Sequence, residues 1–376
     1  MLKESILGYL GLFSSYEILI PLIGFILIYF RNRGLSRMKK LVLGEGEDHP
    51  LVLTFSQMVV GILAGLAVSS IMGYLQITFD RYLEIQVIML MSILLVFIPS
   101  NIVNIGILPV MVLLMDYLST GSFMPLSDVV NLYILLGIIL IVSGVVFALD
   151  SSRGAVPIII RVKERLLGGF MYSRTYIVPL AIGFYLQNES LSGMGYLILG
   201  TSVAFSVSQS FFTMRKKEAS LLLGAIRSLS GGLVLLLTSL HYLHEELVFA
   251  VFALAPIILH FEKQVFKMVE DRRPPLFSST SKEKVILEVS RNTPAYEKGV
   301  RSGDRIVSIN NIPQPDFFTI VKGIGKSDYK KSVKLMILTK DNTLMEISLK
   351  MEPGQNIGFI VVPDALDKIP VKTMKS

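Results

Sequence analysis

The 376-residue chain has no cysteine and only four histidines, and 17% of its residues are charged. Without cysteine there can be no disulfide, thiolate metal site or cysteine nucleophile. The histidines are too few, and wrongly placed, for the intramembrane protease chemistries. A zinc protease needs His-Glu-x-x-His, but His244-Glu245-Glu246-Leu247-Val248 lacks the second ligand. A Glu-Glu-x-x-x-Arg protease fails at Ala250, and no histidine lies at the depth of Gly121-Ser122 to serve a serine nucleophile. His241, His244 and Glu245 have metal-ligand spacing, but they sit in a short polar turn that accounts for them without a metal. The expectation is a protein that is not an enzyme and carries no cofactor.

What is abundant is apolar surface. Hydrophobic residues make up 52% of the chain and the mean hydropathy is +0.61, more than a soluble domain can hide from water. Apolar runs recur at about the length a helix needs to cross a bilayer core of about 30 Å. Nine are read as spans: Tyr16 to Phe30, Leu51 to Ile77, Ile85 to Ile98, Ile105 to Leu118, Val129 to Leu149, Tyr176 to Leu186, Met194 to Met214, Ala219 to Leu240 and Leu247 to Phe261. The first has no small-residue cleavage site and runs into Arg31-Asn32-Arg33, so it reads as a retained span.

Lys and Arg set the orientation, because they resist translocation. They gather in Arg31 to Pro50, Asp150 to Arg174, Arg215 to Glu218 and Glu262 to Lys284, while the alternate connectors hold almost none. This puts the amino terminus outside and the carboxyl domain in the cytoplasm. The net charge of +7 is mostly this bias and argues against nucleic acid as a partner. Some clusters also suit anionic lipid headgroups.

The expected organisation is a multi-span membrane domain over 1–271, a Pro/Ser-rich linker over 272–284, a small α+β domain over 285–365 and a tail over 366–376. In the linker, Pro274-Pro275 stiffens the exit from the last span and the serines loosen the segment beyond it. Phe261 to Asp271 continues the ninth span as a helix in pattern. Ser151 to Arg174 reads either as an interfacial amphipathic helix or as a basic loop. Small residues at Ala64-Gly65, Ser69-Ser70 and Ser228 to Gly232 fit close helix packing. Arg227 lies inside the eighth span; it either snorkels toward Arg215-Lys216-Lys217 or pairs with Glu17, Asp116 or Asp128.

From Lys284 the apolar period changes to short alternating strands: Val285 to Val289, Arg305 to Ile309, Val333 to Leu338 and Leu344 to Leu349, with a helix near Asp316 to Gly323. The stretch Thr293 to Pro313, TPAYEKGVRSGDRIVSINNIP, places a helix start before the turn Ser302-Gly303-Asp304 and an alternating strand. It resembles the core of a PDZ domain of the bacterial, circularly permuted type. That resemblance implies capture of a peptide carboxylate at a glycine-containing loop, with the peptide added as a strand. The matching positions here are Gly354, Asn356, Ile357, Gly358, Phe359 and Ile360. Phe317, Phe318 and Val321 on the facing helix complete an apolar groove.

A helical membrane bundle, a Pro-rich joint and one terminal cytoplasmic PDZ domain together resemble the MinJ family, the division-site topology factors of Gram-positive bacteria. The resemblance implies a scaffold at septum and poles whose partners are DivIVA-like and MinD-like proteins. The alternatives are an adaptor that presents peptide tails to a protease or secretion system, and a transporter with a regulatory domain.

Overall fold

The computed structural model describes residues 2–14, 18–43, 49–80, 82–95, 104–122, 124–163, 165–186, 195–244, 247–291, 293–313, 315–316, 332–350 and 358–364. The amino-terminal unit comprises α1 (Leu2–Gly11), α2 (Leu19–Leu43), α3 (Pro50–Tyr74), β1 (Thr78–Phe79), α4 (Tyr82–Leu95), α5 (Leu108–Thr120) and α6 (Leu126–Asp150). It continues through β2 (Val156–Val162), β3 (Arg165–Leu186), β4 (Gly195–Phe211), α7 (Lys216–Ser239) and α8 (Leu247–Asp271). Four segments are helical, long and apolar enough to cross a membrane by length and composition: Leu19–Arg37, Pro50–Tyr74, Leu126–Gly154 and Lys216–Tyr242. Helix α8 carries the ninth apolar run unbroken to Asp271, as its pattern predicts.

Two expected spans are not helices. The runs Tyr176 to Leu186 and Met194 to Met214 supply the paired strands β3 and β4, antiparallel from Phe170↔Phe211 to Leu186↔Gly195. Ser151 to Arg174, read as an amphipathic helix or loop, instead forms a short 3-10 turn, β2 and the start of β3. The cause is local composition. Ile177, Val178 and Ile182 are β-branched and favour strand, and Pro179 removes a donor that a helix interior needs. From Ser202 to Phe211 apolar and small polar residues alternate, with Val203, Phe205, Val207 and Phe211 in the core.

A strand buried among apolar helices must have its edge groups satisfied, because apolar surroundings supply no hydrogen bonds. Helix α3 covers the β3 edge with residues four apart, on one face, and satisfies one of its amides. Cβ atoms added at Gly61 and Gly65 would lie 2.1 Å from the Ile177 carbonyl oxygen and 2.0 Å from that of Pro179. One turn further on, Ser69 Oγ accepts the Ala181 N–H at 3.0 Å. On the far side of the hairpin α4 covers the edge in the same way. Ser92 Oγ accepts the Ala204 N–H at 2.8 Å, and Gln86 Nε2 donates to the Gly200 carbonyl at 3.3 Å. Gly65 and Ser69, read as helix–helix contacts, thus bring a helix against a strand, whereas Ser228 and Gly231 of α7 do pack on α6 as expected. Gly144 and Gly224 lie in the same contact of α6 against α7.

The carboxyl domain consists of β6 (Lys284–Val289), α9 (Pro294–Glu297), β7 (Arg305–Ile309), β8 (Ile312–Pro313), β9 (Val333–Leu338), β10 (Leu344–Leu349) and β11 (Phe359–Val361). Its sheet order is β10-β9-β7-β6-β11, with β8 paired to β7. The four strands read from alternation fall where expected, within one residue. Its core is a separate cluster built on Ile286, Ile306, Leu335, Ile337 and Leu349.

The joint between the units is not loose. Phe277 and Ser278 form β5, which pairs with Gly168 and Leu167 at the base of the hairpin. Phe277 is 2% exposed and packs edge-on against Phe170. Ser279 Oγ donates to the Val362 carbonyl and accepts the Val285 N–H. Of the serines expected to loosen the linker, Ser278 is held by strand pairing and Ser279 by burial and hydrogen bonding.

Candidate functional site

Strand β11 is the terminal strand of its sheet and pairs antiparallel with β6, Phe359 opposite Val289 and Ile360 opposite Glu288. Among the described residues no strand pairs with its other edge. Successive backbone groups of a strand point to opposite sides. With the Gly358 carbonyl accepting from Ser290 N at 2.6 Å on the β6 side, the Phe359 amide and carbonyl fall on the side away from β6, where no strand pairs among the described residues. Immediately before the strand, Gly358 takes φ +85°, in the left-handed region that glycine enters without strain. A left-handed glycine leading into an open strand edge is the geometry in which backbone N–H groups converge on an anionic chain end.

Of the residues expected to line this site, Gly358, Phe359 and Ile360 are described; Gly354, Asn356, Ile357, Phe317, Phe318 and Val321 lie outside the described residues. Phe359 is half-buried against the domain core. The Ile360 side chain belongs to the large core of the amino-terminal unit, with Leu287 and Val362. Ile360 thus docks the domain on the hairpin base.

The turn Ser302-Gly303-Asp304 is a closed hydrogen-bonded unit. Asp304 Oδ2 accepts the Arg301 N–H at 2.7 Å, Gly303 N donates to the Ile286 carbonyl, and Ser302 Oγ donates to that of Leu287. Gly303 has φ +92°. These are the structural roles expected of Gly303 and Asp304.

Two buried arginines of the amino-terminal unit are paired with carboxylates. Arg227 on α7 donates to Glu262 on α8 at 2.6 Å, a partner other than the expected Asp116 or Asp128; Glu17 lies outside the described residues. Sequence spacing did not suggest this partner, because Glu262 reads as the first residue of a cytoplasmic connector. The pair borders a cavity of about 110 Å³ that also meets β4 from Ala204 to Gln209. Arg174, 2% exposed, binds Asp150 Oδ2 at 2.8 Å, and Tyr176 donates to the same oxygen at 2.9 Å. Among the described residues no group of His, Asp or Glu is placed to hold a metal.

The two units are also joined by charge. Lys216, at the start of α7, pairs with Glu288 on β6, and its ammonium lies 4.6 Å from the centre of the Phe170 ring. Nearby the Phe212 N–H donates to Glu270 on α8, whose carboxyl is raised above its ordinary range by burial, an effect this bond partly offsets.

No curated protein and no solved structure matches the chain. The sequence model of the PDZ domain matches residues 285–314, covering β6, α9, β7, β8 and the Ser302-Gly303-Asp304 turn. A PDZ domain, a module for binding protein partners, is found there.

Proposed function

We propose that this chain is a membrane-anchored PDZ scaffold that captures the carboxyl ends of partner proteins along the open edge of β11. The observation that carries the reading is that edge itself: the last strand of a PDZ sheet, unpaired on one side among the described residues and entered through the left-handed Gly358. A peptide there gains main-chain hydrogen bonds from Phe359 and an anion site at the preceding loop. To this groove we also assign, from the sequence alone, Gly354, Asn356 and Ile357 with Phe317, Phe318 and Val321, which lie outside the described residues.

The membrane reading is supported by the helices long enough to cross and by the distribution of charge. The starts and ends rich in Lys and Arg, at α2, α7 and α8, fall at the end of the helical unit that holds the PDZ domain. This supports the reading of a cytoplasmic domain. Confinement to one leaflet raises its effective concentration for other membrane-bound proteins, so weak peptide contacts suffice. The architecture's resemblance to the MinJ family makes DivIVA-like and MinD-like proteins the partners we propose, with enrichment at septum and poles.

The test uses the full chain in nanodiscs and fluorescent peptides copied from the carboxyl ends of DivIVA-like and MinD-like proteins of the same cell. Binding that is lost when the peptide terminus is amidated supports carboxylate capture. Binding indifferent to amidation, or none, rules out the β11 site as a carboxylate receptor. A fluorescent fusion spread evenly around the envelope of dividing cells counts against the division role alone.

A further inference from the structure

Between the start of α7 and the PDZ domain lies a cleft of about 580 Å³ lined by Arg215, Lys216, Lys217, Arg301, Arg305 and Lys340. No Asp or Glu lines it among the described residues. Two of the six cations are spoken for, Lys216 by Glu288 and Arg305 by Glu283. A third, Arg301, lies over the Tyr296 ring and donates to the Tyr296 and Val300 carbonyls. Among the described residues Arg215, Lys217 and Lys340 form no ion pair, although Asp304 and Asp341 lie near enough to Lys340 to offset part of the surrounding positive charge. Glu218, the one acidic residue in the first turn of α7, pairs with Arg273 and does not line the cleft.

Concentrating like charge in a cleft is unfavourable unless something of opposite sign enters. Lys340 registers this: burial first, and then the charge of Arg215, lowers its ammonium below the ordinary lysine range. The opening turn of α7 adds to the effect. Arg215 stands at the N-cap, so the positive end of a 24-residue helix lies beside the cations. Phe170, Leu276 and Phe277 form an apolar wall to the same space.

We infer that this cleft binds a phosphate group, and by doing so clamps the PDZ domain to the amino-terminal unit. Arg215 and Lys217 belong to one unit, Arg301 and Lys340 to the other, so a single anion between them bridges the two. The phosphate comes from a lipid headgroup of the inner leaflet or from a soluble phosphate ester. The lipid source rests on the membrane reading given above; the soluble source does not. An apolar wall beside the cations suits a headgroup with acyl chains attached.

The experiment compares the full chain with Lys217→Gln/Lys340→Gln, with the charge-conserving Lys217→Arg/Lys340→Arg, and with Lys282→Gln/Lys298→Gln, which removes equal charge from exposed positions outside the cleft. In one arm, native mass spectrometry follows retention of phosphatidylglycerol after extraction from nanodiscs of phosphatidylcholine with and without it. In the other, inorganic phosphate is titrated against the detergent-solubilised protein and thermal unfolding is followed. Each neutralised cation is expected to weaken binding about fivefold, about 30-fold for the cleft pair. The Arg version and the outside pair should bind as the parent does. Retention of phosphatidylglycerol with that pattern identifies a lipid site, and a phosphate-dependent thermal shift with that pattern identifies a soluble one. Equal losses in the cleft and outside variants, or no binding in either arm, overturn the inference.

Discussion

A Cβ placed on Gly358 would lie 2.3 Å from the Cβ of Thr293, whose hydroxyl donates to the Ser290 carbonyl at 2.7 Å. Gly358 therefore sets the spacing between β11 and the start of α9, besides giving the backbone its left-handed turn. The sequence alone suggests that a bulky residue here would stop partner capture and leave the domain folded. The geometry predicts otherwise for folding. Gly358→Val combines a left-handed penalty of about 1–2 kcal/mol with an overpacking cost of about 1–3 kcal/mol. Hydrogen exchange measures this directly, because the Ser290 amide donates to the Gly358 carbonyl. Its protection should fall in the variant. Unchanged protection would show that the Thr293 contact relaxes freely and that Gly358 can be used to probe binding alone.

The contact of α3 with β3 leads to a second prediction. Ser69→Ala removes the acceptor for the buried Ala181 N–H and should cost about 1–3 kcal/mol. Gly65→Leu should be worse, since the Pro179 carbonyl lies where the new side chain begins. Thermal unfolding of the detergent-solubilised chain orders the variants. A Gly65→Leu protein as stable as the parent would mean that α3 does not lie on the strand edge.

These two regions mark the limit of what the sequence revealed. The PDZ strands were legible because each is short, alternates apolar with polar residues and ends at a turn signal such as Asn310-Asn311, where both residues have positive φ. The β3–β4 hairpin was not, because strands covered on both faces read as continuous apolar runs, as spans do. The Ser202 to Phe211 alternation was the available signal, and its hydropathy outweighed it. Glu262 was hidden for a different reason: pairing across two helices depends on their rotation, which spacing along one chain does not encode. The groove loop at Gly354 to Ile357 was named from the motif and lies outside the described residues.

Arg227 and Glu262 supply a third prediction. Both are largely buried, and removing one leaves the other charged and uncompensated. Arg227→Met should destabilise by about 3–5 kcal/mol, and Arg227→Met/Glu262→Met should recover much of that loss. A double-mutant cycle on unfolding midpoints tests it. Additive losses would show that the two side chains do not interact in the folded protein.

The last prediction concerns acidity, at Glu270, beyond the apolar run of α8. Burial raises its carboxyl above the ordinary value of 4.5, and the Phe212 N–H only partly offsets this. Between the ordinary value and the raised one, the folded chain keeps a proton that the unfolded chain has released. The stabilisation from that proton is thus fully present below pH 4.5 and is lost as pH rises through the raised value. Glu270→Gln keeps an oxygen for the Phe212 amide and never ionises. Its unfolding temperature should exceed that of the parent at neutral pH, and the gap should close as the solution is acidified. A gap that stays constant with pH, or has the opposite sign, would show that Glu270 is held by its charge and that the amide bond to Phe212 outweighs the burial.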